Sequence, residues 1–415
     1  MTSNCTRDHS FLRINENLTY KNIQHVLNNL HIMVSKYRYE TIILDFSNID
    51  SAFADAMIPL CAIVNKYKYD KKIDFECILP KKQTLEKLFI NTNWANLIDE
   101  NIKESKFTGF TQYPARFIKD DDDLIKSVDE ILDCILRATD VESKHDFSTI
   151  EWTINEIAEN ILRHSESSFG GIIHLSKFTK NKKCIEIVLA DGGIGIPLSL
   201  KKNDRYTNKE DVELVRLAIN EGVTNGNGMG NGLFGAYSLS KISGGYFKIY
   251  SGYSSLVTNY DNMCTLRAEK TKIPFSGTSI CIAIDFTIPG TLEKALKFKN
   301  NIYQPISSYL ENTYDEESII FDLDTEVKSF STRMVAEPFR RKIINIISLQ
   351  KPYKITFNFP SEKVMSSSFA DELFGKLILE LGEDYFFKKI QFKNISYNNK
   401  IILNRAISQR SIQEK

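Results

Sequence analysis

The 415-residue sequence has no surplus of charge of either sign: Lys plus Arg and Asp plus Glu both number 53. A chain without a basic field lacks the electrostatic footprint of a polyanion binder, so neither nucleic acid nor an anionic membrane surface is expected as a partner. No apolar run approaches the roughly 18 residues of a membrane helix. The segment "MTSNCTRDHSFLRINENL" lacks the basic start and apolar stretch of a signal peptide. These absences lead us to expect a cytoplasmic protein with no membrane attachment. The seven cysteines (5, 61, 77, 134, 184, 264 and 281) form no Cys-x-x-Cys pair, and several sit in apolar runs such as "FECIL" and "SICIAI". They read as buried free thiols, not as disulfides or a metal centre. No Gly-x-x-x-x-Gly-Lys-Ser/Thr occurs, which excludes an ordinary P-loop.

What is present is a chain that should fold throughout: 42% of its residues are hydrophobic, and Pro and Gly are modest. Its length suits two or three domains at about 100–200 residues each. Residues 1–105 alternate strand signals ("SFLRI", "TIILDF", "IDFECIL") with helical stretches at about 19–35, 54–69 and 83–89, which predicts a small α/β domain. Gly, Pro and charge then interrupt the pattern in "TGFTQYPARFIKDDDD", and 106–120 reads as a linker. A second unit spans 121–290, with helices at about 121–137 and 147–163, strands "GGIIHLSKF", "CIEIVLA", "YFKIYSG" and "GTSICIAIDF", and a polar stretch at 198–231 that suits a lid. A third, 291–415, alternates again.

The first and third units share an echo. "ILDFSNIDSAFADAMIPL" and "TFNFPSEKVMSSSFADELFGKL" both read strand, turn, then Ser-x-Phe-Ala-Asp opening a helix, so Ser51, Phe53, Ala54 and Asp55 correspond to Ser367, Phe369, Ala370 and Asp371. The pattern supports a duplicated module on either side of a central domain.

Three features of the central unit carry chemistry. In "INEIAENILRH", Glu156, Asn160 and His164 fall at i, i+4 and i+8 on one helix face, while Ile154, Ile157 and Ile161 take the other. "IVLADGGIGIP" is an apolar strand ending in Asp191 with glycines at 192, 193 and 195. "NGNGMGNGLFGAYSLSKISGG" brings glycines 226, 228, 230 and 232 into a helix. A dinucleotide fingerprint fails for both clusters: Leu198 stands where the first needs its third glycine, and the correctly spaced Gly230, Gly232 and Gly235 follow a polar stretch instead of a strand.

Glu-x-x-x-Asn on a helix, Asp-x-Gly-x-Gly after a strand, a Gly-rich turn into a helix and a final "GTS" strand, in that order over 121–290, resemble the GHKL family of ATP-binding domains. That family includes gyrase, Hsp90, MutL, histidine kinases and anti-sigma-factor serine kinases. The resemblance implies a central GHKL (Bergerat) α/β sandwich that uses ATP and Mg²⁺. It implies that Asn160 holds the metal with its amide oxygen, and that Glu156 polarises the hydroxyl or water aimed at the γ-phosphate. Asp191 would accept the adenine amine, Gly193 and Gly195 would let the backbone approach the base, and Gly228, Gly230 and Gly232 would cradle the phosphates. Thr278 would support the adenine pocket, and His164 is more simply a helix cap or packing residue.

The flanking units resemble STAS-like modules, in which a hydroxyl at the start of a helix is phosphorylated by a partner GHKL kinase. The N-terminal copy departs from this, holding Ala54 and Asp55 where the hydroxyl is expected. The C-terminal copy keeps Ser366, Ser367 and Ser368, candidate phosphoacceptors that equally suit a helix N-cap. A histidine kinase would need a phosphoacceptor His on a preceding helical hairpin, and only His145 lies near such a position. Two functions therefore remain open: an ATPase or serine/threonine protein kinase acting on STAS-like or sigma/anti-sigma-type protein partners, and an ATP-gated interaction switch in bacterial signalling or defence. Either is compatible with a homodimer.

Overall fold

The computed structural model describes residues 5–105, 113–178, 184–226, 229–258, 266–285, 288–299, 301–360 and 363–411. It is a mixed α/β protein with several sheets. In the first, β1 (Cys5–Asp8) and β2 (Phe11–Ile14) form a hairpin, and β2 pairs in parallel with β3 (Thr41–Asp45), which pairs in parallel with β4 (Asp74–Ile78). The crossovers are the helix Ile23–Ile32, continued by Met33–Tyr37, and the helix Ala54–Lys71.

The central sheet is antiparallel throughout, in the order β5 (Tyr113–Ile118), β6 (Gly171–Phe178), β7 (Cys184–Asp191), β9 (Leu266–Asp285), β8 (Phe247–Thr258). The stretch read as a linker thus supplies an edge strand of this sheet. Tyr113, Ala115 and Ile118 are buried, and Pro114 is tolerated because an edge strand has one side without ladder partners.

Alternate residues of the sheet face two different cores, as the period of two requires. Ile173, Leu175, Ile187, Leu189 and Ile282 share a core with Ile150, Ile154, Ile157 and Ile161 of the helix Lys144–His164 and with Leu132 and Ile135 of the helix Asp121–Ala138. Ile172, Val188, Ala190, Tyr250 and Cys281 share the other with Met57, Leu60, Cys61 and Val64 of Ala54–Lys71. Every residue of β7 is therefore buried, which is why its sequence is apolar apart from Glu186 and the terminal Asp191.

A short hairpin, β10 (Lys297–Phe298) with β11 (Asn301–Ile302), leads to the last sheet, in which β12 (Ser318–Asp322), β13 (Lys354–Asn358) and β14 (Ile390–Lys393) are parallel and in that order. Its crossovers are the helix Arg333–Gln350 and the helical stretch 367–381. The trio β2–β3–β4 thus has the topology of β12–β13–β14, and the two Ser-x-Phe-Ala-Asp copies both follow the middle strand.

The copies are used differently. Asp55 is buried against the central sheet, 2.6 Å from Nζ of Lys248 on β8, whereas Asp371 pairs with Arg410 at 2.8 Å and Arg333 at 3.2 Å, both near it in the C-terminal unit.

That unit is fastened to the central one by a charge quartet, with the buried Lys342 and Arg137 against the partly buried Asp133 and Glu326. The Asn345 amide donates to the carbonyls of Leu136 (2.8 Å) and Thr139 (2.7 Å). Among the described residues no helix is long and apolar enough to cross a membrane, and the described cysteines are free thiols.

Candidate functional site

The helix Lys144–His164 starts with Ser143 as its N-cap, the hydroxyl accepting the Asp146 N–H at 3.1 Å, a turn earlier than the periodicity suggested. His145 is thus an exposed residue of its first turn, not part of a separate hairpin. Glu156 and Asn160 follow one turn apart and face the first residue of the helix Gly232–Ile242. A Cβ on Gly232 would lie 2.9 Å from Oε2 and 3.2 Å from Cβ of Glu156 and 3.5 Å from Nδ2 of Asn160, so the glycine lets the two helices meet here without displacing the Glu156 carboxylate. Neither the Glu156 carboxylate nor the Asn160 amide has a hydrogen-bond partner among the described residues. Burial first, and the neighbouring Glu159 second, hold the Glu156 carboxyl above its ordinary range, while Arg163 pulls it back.

These groups line a cavity of about 710 Å³, which Asp191, Gly195 and Thr278 line as well. Asp191 ends β7 and is 3% exposed; its carboxylate accepts the N–H of Gly193 at 2.8 Å and that of Thr278. Burial nevertheless pushes its carboxyl up to about 7, against the pull of those N–H groups and of Lys66. Ser251, on β8, links the walls: its hydroxyl donates to the Gly277 carbonyl (2.9 Å), accepts the Ile196 N–H (2.8 Å) and lies 3.1 Å from the Thr278 hydroxyl.

The raised Asp191 carboxyl carries a stability consequence. Its folded value of about 7 exceeds the unfolded value, near 3.9. The folded state therefore holds a proton that the unfolded chain has lost, and stability falls as pH rises through that window. Asp191→Asn stays neutral and still offers an oxygen to the Gly193 N–H. It is expected to raise the Tm of the nucleotide-free protein at pH 8, with the gain gone below about pH 4; scanning calorimetry at the two pH values checks this.

The cavity gathers Glu156, Asn160, Asp191, Gly195, Gly230, Gly232 and Thr278 from sequence segments far apart. Gly193 is not on its wall. A Cβ there would lie 1.8 Å from the Ser165 carbonyl oxygen, and one on Gly195 (φ +80°) 2.6 Å from that of Gly277. Both glycines serve close packing of the chain on itself, and Gly195 does so while lining the cavity. Gly228 lies outside the described residues. His164 lines the cavity half-buried, with its imidazole pKa lowered by burial and then by Arg163 and Lys202. The polar stretch 198–231 is not structureless: it contains the helix Asp211–Ala218, whose Leu214 and Ala218 pack on Leu200.

The serines do not line this cavity. Ser366 caps the following helix, its hydroxyl accepting the Phe369 N–H (3.0 Å) and donating to the Ser331 carbonyl (2.9 Å). Ser367 is exposed and lines a separate cleft of about 490 Å³ with Arg333, Asp371 and Arg410.

Sequence reasoning missed an aromatic wall beside Glu156, where Trp152 meets Phe298 at 5.9 Å and Tyr303 at 6.0 Å. Trp152 stands four residues before Glu156 and extends the same helix face, a signal within reach of the periodicity. Phe298 and Tyr303 come from beyond the expected border at 290 and had none.

Comparison with known proteins bears on the C-terminal unit. Residues 335–400 match a STAS-like domain of unknown function (DUF4325). This segment is STAS-like. It runs from the helix Arg333–Gln350 across β13, the three serines and β14. No curated protein matches the chain. Among solved structures, the histidine kinase domain of the blue-light activated histidine kinase from Erythrobacter litoralis EL346 is similar over 66% of this chain and 96% of that one, at 15% identity and a TM-score of 0.20. An overlap that loose carries no argument about fold or chemistry.

Proposed function

We propose that the central sheet and its helices are a GHKL-type sandwich that binds Mg·ATP, and that the protein hydrolyses the nucleotide or transfers its γ-phosphate to a serine or threonine of a protein partner. One observation carries the reading: a carboxylate, an amide and a bare helix N-terminus meet on the wall of a cavity that a buried carboxylate, Asp191, also lines.

Asp191 would accept the adenine amine in its ionised form. The backbone N–H groups around Gly230 and Gly232 would face the phosphates, with the positive end of the helix Gly232–Ile242 behind them. The Asn160 oxygen is a hard donor with no competing partner among the described residues. No group of three His, Cys, Asp or Glu there could hold a metal by itself. Both facts fit Mg²⁺, which takes few protein ligands and keeps phosphate and water oxygens. When bound it would neutralise charge on the phosphates. Glu156 would take the proton from the attacking hydroxyl or water as that oxygen bonds to the γ-phosphorus and the bond to the β-phosphate oxygen breaks, leaving ADP.

A second reading is an ATP-gated switch with little transfer. It is favoured by the path of the chain after β9. Asp146 accepts the N–H groups of Gly290 (2.6 Å) and Leu292 (2.9 Å), and Glu151 accepts that of Tyr309 (3.0 Å), on the helix that bears Glu156. Phe298 and Tyr303, between those anchors, line the cavity. Occupancy of the cavity would therefore be felt by the segment that leads to the STAS-like unit.

Incubation with Mg·ATP followed by phosphosite mapping separates the readings. We expect acid-stable phosphate on a hydroxyl of a partner or of the STAS-like unit, with Ser367 the best internal acceptor because Ser366 is engaged as a cap. Free phosphate with no modified residue would favour the switch, and acid-labile phosphate on His145 would restore the histidine-kinase alternative.

A further inference from the structure

Lys66 belongs to the helix Ala54–Lys71 of the N-terminal unit, yet its Nζ donates to the Gly192 carbonyl at 2.5 Å while pairing with Asp70 at 3.2 Å. Helix and turn touch without a gap: a Cβ on Gly192 would lie 2.9 Å from Cβ of Lys66 and 2.7 Å from the Phe169 ring. The Gly192 carbonyl and the Gly193 N–H belong to one peptide plane, so fixing one fixes the other. That N–H is the group held 2.8 Å from Oδ1 of Asp191. A cation on the carbonyl side also polarises the amide and strengthens it as a donor.

We infer that Lys66 is a positioning residue of the nucleotide site, acting through the Gly192–Gly193 peptide on Asp191, so that the N-terminal unit sets the affinity for adenine nucleotides. The inference rests on the nucleotide reading above. Lys66 also favours the charged form of Asp191, which burial disfavours. Lys66, paired with Asp70, is the charged group that acts on that carboxylate from the N-terminal side, and Glu156, Glu159, Arg163 and His164 line the same cavity from the helix Lys144–His164. A partner that pulled the Ala54–Lys71 helix off the sheet would remove the cation and free the turn together. The N-terminal unit is then a built-in regulator of the site and not a substrate for it, in keeping with Asp55 being buried against Lys248.

The test uses the full chain as wild type, Lys66→Met and Lys66→Arg, with circular dichroism confirming that each is folded. ATP binding is titrated from pH 5.5 to 8.5, and the Tm of the nucleotide-free protein is followed over the same range. Wild-type affinity should fall as pH drops through about 7. Lys66→Met should bind ATP about tenfold more weakly at pH 7.5, the loss of a hydrogen bond to a charged group, with both pH midpoints moved upward. Lys66→Arg should stay near wild type. Weaker binding with unmoved midpoints would mean that Lys66 is only a packing residue, and wild-type behaviour of Lys66→Met would equally overturn the inference. If the wild type binds no ATP but Lys66→Met still moves the Tm midpoint, the nucleotide reading falls and the action of Lys66 on Asp191 stands.

Discussion

Replacing Glu156 with glutamine is expected to leave ATP binding intact and to lower turnover by roughly 10² to 10⁴, the span typical of a lost general base. A base acts as the proton moves in the transition state and contributes little to holding the ground state. The half-buried site supports this use. Burial and the charge of Glu159 raise the Glu156 carboxyl above its ordinary range, so it is a stronger base than a surface glutamate. The sign follows: the rate should rise with pH as the carboxyl ionises and should be lost on the acid side of that raised value. Single-turnover measurement of ADP and of phosphoprotein reads the effect without interference from product release. A Glu156→Gln variant as fast as the parent would make Glu156 an ordinary polar-face residue.

Asn160→Ala should uncouple nucleotide binding from the metal. In the wild type, ATP affinity should rise with Mg²⁺ concentration, and in the variant that dependence should vanish. Removal of even an outer partner of a bound metal costs about 10- to 100-fold in metal affinity, so a direct ligand should cost at least as much. The side chain is half-buried, contacts the cavity and has no hydrogen-bond partner among the described residues, so its truncation should leave the fold in place. Titration of Mg²⁺ at fixed ATP checks the prediction.

The parts of this molecule that were legible in its sequence are those fixed by local periodicity. A period of 3.6 put Glu156 and Asn160 on one face, and "CIEIVLA" was legible as a strand from its short apolar run, without alternation because β7 is covered on both sides. The echo around Phe53 and Phe369 was legible because both copies occupy the same place in the same topology. What escaped depends on contacts between distant segments. Residues 113–118 read as a linker because Pro114 and the flanking charges look like a break, while their strand character comes from pairing with β6. Nothing in the sequence singles out Lys66, whose role depends on the helix that carries it packing on the Gly192 turn. A hint was present there, since "ADAMIPLCAIV" is apolar nearly all round, the mark of a helix enclosed between layers. Gly235 completed an apparent dinucleotide spacing for an unrelated reason: a Cβ there would lie 2.5 Å from the Trp152 ring.

The most direct test of the account is calorimetric titration of Mg·ATP, and of Mg·GTP, into the full chain and into Asp191→Asn at pH 8. A site with a buried acceptor for the adenine amine should bind ATP at one saturable site and reject GTP, which presents an acceptor there instead. The Asp191→Asn protein should bind ATP about 10- to 100-fold more weakly, corresponding to a buried hydrogen bond of about 1–3 kcal/mol. No ATP binding by the wild type, or equal affinity in the two proteins, would contradict the assignment of this cavity to a nucleotide.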